Sequence, residues 1–148
     1  MHDTGIPWND PSGVRLRSWL GMTPEEFYDE KTISITPMGL CYPGRGKSGD
    51  LPPRPECAPK WHGKIHAHMP DVKLKLLVGS YAINNYLKGC NYKTLGETVQ
   101  HWREYAKDGL FPLVHPSPRN TLWLKRNPWF EAEIVPELRK LVHSILAE

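Results

Sequence analysis

Two apolar segments of the chain each end in a turn that leads into a further element, and this pattern constrains the fold most strongly. Residues 73–78 (KLKLLV) have the composition of a buried strand, and Gly79-Ser80 turns the chain directly into a helix. Residues 110–114 predict another strand, which runs into the segment His115-Pro116-Ser117-Pro118. Strands that alternate with helices predict an α/β domain built on a parallel sheet.

The remaining elements are predicted from capping residues and from the spacing of apolar side chains. A strand is predicted over 32–38, where β-branched residues alternate, and 39–59 is a long loop rich in proline. Only three strands are found, which is few for a sheet covered on both faces. The predicted helices cover 12–20, a short turn after Thr23, 59–69, 79–89, 94–106 and a segment after Asn127 in which Pro136 should cause a kink.

Composition indicates one soluble domain spanning residues 1–148, which we expect to be a cytoplasmic monomer. No apolar run is long enough for a membrane span, so a membrane role is not expected. Three cysteines make an odd count, which argues against a disulfide framework and favours a reducing compartment. The net charge of +3 is compatible with a polyanionic partner.

The sequence Gly46-Lys47-Ser48 resembles the end of a phosphate-binding P-loop, but its surroundings exclude that motif. The position five residues before Gly46 is Cys41 instead of glycine, and the prolines at 52, 53 and 55 prevent the required helix. Residues 44–49 are therefore interpreted as a basic loop, either contacting phosphates or simply solvated.

Three histidines, His62, His66 and His68, lie on the predicted helix 59–69. His62 and His66 have the spacing of a zinc-binding pair, but there is no obvious third ligand. We therefore expect them on a solvated helix face, with Trp61 and Ile65 facing inward.

The segment 115–120 is the strongest candidate for a functional site. It follows a strand end, where α/β sheets place ligand sites, and two prolines stiffen it. Basic residues follow, interleaved with Trp123 and Trp129, a composition that suits gripping a phosphate backbone and a base. A turn that caps a helix, with both tryptophans in the core, explains the same residues equally well.

Four segments, in order along the chain, resemble motifs of the uracil-DNA glycosylase superfamily. His115-Pro116-Ser117-Pro118 resembles its second signature motif. Gly5-Ile6-Pro7-Trp8 with Gly13 and Leu16 is similar to the end of the first motif in the iron–sulfur branch. Residues 36–43 (TPMGLCYP) resemble the Thr-Asn-Val-Val-Lys-Cys-Arg-Pro segment of that branch, and Leu77-Val78-Gly79 with Ala82 resembles its strand-to-helix turn.

This resemblance implies a three-layer α/β fold with a parallel sheet and a function in base-excision repair, with DNA containing uracil or another deaminated base as the partner. Trp8 would stack on the flipped base, and His115 would donate to the uracil oxygen that gains charge. Ser117 would bind a phosphate, and Pro118, Arg119 and Asn120 would lie on the loop that enters the duplex.

The resemblance also implies part of a metal site. Cys41 and Cys57 are sixteen residues apart, as are two of the four cluster ligands in the iron–sulfur branch. The Cys-x-x-Cys that supplies the other two is not in this sequence, so an iron–sulfur cluster is expected in a full-length form and not in this chain.

Two departures from the family pattern bear on activity. Pro37 stands where the family has its uracil-reading asparagine. The first half of the first motif, with the water-positioning group and a central strand, has no counterpart here. We therefore expect a chain that begins inside the motif, lacks the first strand, and shows little or no turnover alone. Two alternatives stay open: a non-catalytic DNA-binding relic of the same fold, and a nucleic-acid-binding module stabilised by zinc on Cys41, Cys57 and a histidine.

Overall fold

The computed structural model describes residues 4–148. The strands are β1 (Arg45–Gly46), β2 (Gly49–Asp50), β3 (Lys75–Val78) and β4 (Leu110–Leu113). The helices are α1 (Pro11–Leu20), α2 (Pro24–Phe27), α3 (Gly63–Ala67), α4 (Ser80–Tyr86), α5 (Leu95–Gln100), α6 (Trp102–Ala106), α7 (Thr121–Arg126) and α8 (Val135–Leu146). Two π-helical segments, Ala58–His62 and Phe130–Ile134, and a 3₁₀ turn at Pro118–Asn120 complete the set. No helix within 4–148 is long and apolar enough to span a membrane.

Strands β3 and β4 pair in parallel, as the sequence predicted. The register runs from Lys75 opposite Leu110 to Val78 opposite Leu113. Helices α4, α5 and α6 form the connection between the two strands and pack against them. Leu77 and Phe111 are fully buried at the centre of the core. The chain therefore has the α/β class expected for it, with mixed helix and strand around a parallel sheet.

The predicted strand at 32–38 is wrong. The side chains of Ile33 and Ile35 do pack against the core, so the alternation in the sequence reflects real burial. The backbone does not pair, however, and the amides of Thr32 and Ile33 bond to the carbonyl of Asp29 in a turn. Among residues 4–148 the parallel sheet consequently has two strands instead of three.

The prediction of which side of helix 59–69 faces the core is also wrong. Trp61 is 40% exposed, whereas His62, expected in solvent, is only 4% exposed. The first turn is π-helical, over Ala58–His62, which changes the angular spacing on which the prediction relied. His62 tolerates burial because both of its ring nitrogens have hydrogen-bonding partners.

The C-terminal helix holds α1 in place. Phe130 and Leu138 are fully buried, as the predicted apolar stripe requires, and the indole N–H of Trp19 on α1 donates to Glu131 at 2.9 Å. The irregularity expected at Pro136 takes the form of the π-helical segment that ends just before α8. Since Pro136 has no N–H, it leaves one carbonyl of the preceding turn without its usual partner.

Candidate functional site

The candidate site lies at the carboxyl edge of the parallel pair, where the chain leaves β3 at Gly79 and β4 at Val114. The amide of Gly79 donates to the carbonyl of Leu113 at 2.9 Å, which fixes the two strand ends side by side. Gly79 has φ +87°, and a Cβ there would lie 3.3 Å from the His115 ring. A glycine therefore allows both the sharp turn into α4 and the close approach of the imidazole.

Local hydrogen bonds fix the orientation and tautomer of His115. The backbone N–H of Ser117 donates to Nδ1 of His115 at 3.1 Å. Since an amide can only donate, Nδ1 must accept, and the neutral ring carries its proton on Nε2. The side-chain amide of Asn120 donates to the His115 carbonyl at 2.8 Å and closes the loop behind the ring.

The surroundings of His115 favour the neutral imidazole. Burial lowers the pKa of His115 from its usual value, and the negative charge of Asp10 opposes this effect more weakly. The ring is therefore available near neutral pH as an uncharged N–H donor at Nε2.

Trp8 packs against His115, with ring centroids 5.5 Å apart and planes inclined by 29°. Its backbone has φ 60°, an uncommon conformation for a bulky side chain. The Arg17 guanidinium holds it there by donating to the Trp8 carbonyl at 3.0 Å, while Tyr28 donates to the preceding carbonyl of Pro7 at 2.8 Å. The imidazole therefore covers part of one face of the indole ring.

The loop 117–120 is anchored from behind and exposed in front. Arg15 on α1 donates to the carbonyl of Ser117 at 3.2 Å and to the hydroxyl of Thr121 at 3.1 Å. The Ser117 hydroxyl accepts from the backbone N–H of Arg119 at 3.2 Å. Pro118 and Arg119 are exposed. The exposed part of the loop can therefore contact a large ligand while the hydrogen bonds from Arg15 stay in place.

Trp123 and Trp129, the aromatic residues that follow this loop, belong to the core. Their rings meet edge to face at 5.7 Å, and both contact Phe130 in the same manner. The indole N–H of Trp129 donates to the side chain of Asn127 at 3.2 Å. These contacts fit the structural explanation, in which both rings pack against the core, and each ring stays partly exposed.

Comparison with protein families identifies the chain. The model of the uracil DNA glycosylase superfamily matches residues 1–139. The chain belongs to this superfamily. Membership supports a glycosylase-like function with DNA as the substrate, and it confirms the resemblance to the superfamily.

In this superfamily member the two candidate cluster ligands differ in environment. Cys41 is exposed and Cys57 is buried, and both are free thiols. Both are near Arg54, whose pKa is raised first by its hydrogen bond to Glu56 and more weakly by the two cysteines. Across residues 4–148 no three His, Cys, Asp or Glu side chains are placed to hold a metal. The described residues thus offer at most two thiolates and do not fit a complete cubane.

The same finding bears on the zinc alternative. His62 follows Cys57 in the same helical segment, but its Nδ1 bonds the hydroxyl of Tyr86 at 2.6 Å and its Nε2 bonds the carbonyl of Pro37 at 2.9 Å. Neither nitrogen is available to a metal. Pro37 contributes its carbonyl to this arrangement, and its side chain has no group that could hydrogen-bond a base edge.

Sequence reasoning missed three residues that build this glycosylase-family site. Arg17 and Arg15 orient the Trp8 backbone and the Ser117 loop, and Asp10 places a negative charge near His115. The only signal for Asp10 was its position before Pro11, where it caps α1 by accepting from the amide of Gly13 at 2.9 Å. The two arginines gave no local signal, because their partners are distant in sequence or lie in a loop.

Proposed function

We propose that this chain acts in the removal of uracil or another deaminated base from DNA by hydrolysis of the N-glycosidic bond. His115 is the residue that stabilises the departing base. The observation that carries this proposal is the hydrogen bond from the Ser117 amide to Nδ1 of His115, since it leaves the Nε2 proton free to donate.

The chemistry requires such a donor. When the glycosidic bond breaks, its electron pair stays on the base, and negative charge develops on a carbonyl oxygen of the leaving uracil. The sugar becomes oxocarbenium-like and is captured by water, whose proton is released. A fixed, uncharged N–H aimed at that oxygen acts mainly on the transition state and is typically worth about 10²–10³ in rate.

The remaining site residues are given roles that agree with their placement. Trp8 stacks on the extruded base. Ser117 and Arg119 bind the strand on either side of the flipped nucleotide, while Pro118 and Asn120 shape the loop that enters the helix. Asp10 holds negative charge on the same side as the developing sugar cation.

A second candidate function is that of a DNA-binding relic without chemistry. It is favoured by the contact between Trp8 and His115, because the imidazole covers one face of the aromatic ring that would stack on a base. In such a protein the loop 117–120 still binds the DNA backbone, and the Nε2 proton of His115 has no catalytic role.

Base release under single-turnover conditions separates the two functions. The chain is used in excess over uracil-containing DNA, because we expect release to be slow. His115→Ala should lower the release rate by about two to three orders of magnitude, with little change in DNA affinity. His68→Ala is the matched control, because His68 is exposed and its Nδ1 bonds the carbonyl of Lys64 one helical turn away. DNA binding without release would establish the relic. Release that His115→Ala leaves unchanged in a folded protein would instead overturn the role given to His115.

A further inference from the structure

The rejected P-loop segment folds into a small antiparallel hairpin. Arg45 pairs with Asp50 and Gly46 with Gly49, which leaves Lys47 and Ser48 at the tip. The hairpin is closed at its base by the bond from the Leu51 amide to the Gly44 carbonyl at 2.8 Å. The hydroxyl of Tyr42 donates to the Asp50 carboxylate at 2.7 Å. The segment is therefore a hydrogen-bonded hairpin that carries exposed basic side chains, and not an irregular loop.

This hairpin contacts the loop of the candidate site. The Arg119 guanidinium lies against the backbone of Gly49, where a Cβ would be 2.8 Å from both terminal nitrogens. Arg119 in turn adjoins Asn120, which bonds the His115 carbonyl. A continuous path of contacts thus joins the hairpin to the edge that carries the imidazole.

Among residues 4–148, the basic side chains of the hairpin and Arg119 form no ion pair. Of the ion pairs found within residues 4–148, none involves Arg45, Lys47 or Arg119, although Asp50 lies opposite Arg45 in the hairpin. All three basic residues are exposed. Exposed cations grouped on one side of a site without internal partners are suited to an external polyanion.

We propose that the hairpin β1–β2 is a second DNA-contacting element, in which Arg45 and Lys47 bind phosphates of the duplex next to those held by Arg119. The inference rests on the proposed function in two respects: DNA is taken as the ligand, and the loop 117–120 is taken to bind DNA next to the hairpin. Each phosphate neutralised releases counterions, so the hairpin contributes sequence-independent affinity and orients the duplex on the site.

The test measures the affinity for a uracil-free duplex as a function of salt. The double variant Arg45→Gln/Lys47→Gln should raise the Kd about five- to tenfold at low salt and reduce the slope of log K against log salt by about one to two. Its matched control is Lys88→Gln/Lys107→Gln, which removes the same charge. Lys88 follows α4 and Lys107 precedes β4, so both lie toward the opposite edge of the sheet.

A third variant tests whether Arg119 binds beside the hairpin. Arg119→Gln should weaken binding and reduce the salt slope by about one, and combining it with Arg45→Gln/Lys47→Gln should reduce the slope further, because each side chain contacts its own phosphate. The proposal is overturned if the Arg45/Lys47 variant binds as wild type does, or if the control pair loses as much affinity. Since the duplex contains no uracil, these outcomes are independent of base release, and failure of the proposed function would leave them unchanged.

Discussion

The Cα of Gly13 lies directly against the carbonyl oxygen of Trp8, so that a side chain at residue 13 would overlap it. This contact lets α1 begin immediately behind the tryptophan. It also fixes the carbonyl that Arg17 binds. The position of the aromatic ring against His115 therefore depends on Gly13 as well as on Arg17.

Gly13→Ala tests this arrangement. Alanine normally stabilises a helix by about 1 kcal/mol over glycine, but here we expect a net loss of about 2 kcal/mol or more from the clash with Trp8. Gly63→Ala is the control, because Gly63 is helical and a Cβ there has open space; it should gain about 0.5–1 kcal/mol. Urea unfolding gives both values. A Gly13→Ala protein as stable as wild type would show that the contact does not hold Trp8.

Stability should depend on the charge state of His115. Because burial lowers its pKa in the fold, the unfolded chain takes up the proton first as the pH falls. The neutral ring thus contributes its full share of folding stability above about pH 6.5, the usual pKa of histidine. This contribution is lost as the pH falls from that value toward the lowered pKa of the folded state. The stability difference between wild type and His115→Ala should accordingly shrink from pH 7.5 to pH 5. A difference that grew toward acid would contradict the burial argument.

Asp10→Asn isolates the charge that acts on His115. Asparagine caps helices as well as aspartate does, so α1 should remain intact. Removal of the negative charge should lower the pKa of His115 further, because Asp10 is the group that raises it. An NMR titration of the His115 ring measures the shift and, through the ring nitrogens, the Nε2–H tautomer. An unchanged pKa of His115 in this variant would show that the charge of Asp10 does not act on the ring.

The bond between Tyr86 and His62 should contribute measurably to stability. Tyr86→Phe removes the hydroxyl that bonds Nδ1 of the buried His62, and we expect the free energy of unfolding to fall by about 1–2 kcal/mol. Tyr81 lies on the same helix and is 56% exposed, so Tyr81→Phe should stay within about 0.5 kcal/mol of wild type. Equal losses in the two variants would mean that the buried bond adds nothing.

Local patterns predicted the parts of the fold that depend on neighbours in sequence. The helix predicted over 94–106 begins where expected, at a capping box in which Thr94 and Glu97 form both hydrogen bonds, and the strands at 75–78 and 110–113 lie within the predicted ranges. His115 could be placed at a strand end because a strand and a proline-stiffened turn are both local features.

Partners distant in sequence could not be predicted. The segment 32–38 alternates as a strand should, but pairing requires a neighbour that its own residues do not specify. The burial of His62 depends on Pro37 and Tyr86, each more than twenty residues away. The hairpin at 45–50 was missed because its strands are only two residues long, too short for any periodicity.

The parallel pairing of β3 with β4 has a kinetic consequence. Residues 79–109 separate the two strands, so the pair cannot form until a loop of that length has closed and its helices have docked. The same closure brings Gly79 beside His115. On refolding, helices should therefore appear before binding competence. The rate at which competent protein emerges should follow long-range strand pairing instead of helix formation, which is orders of magnitude faster.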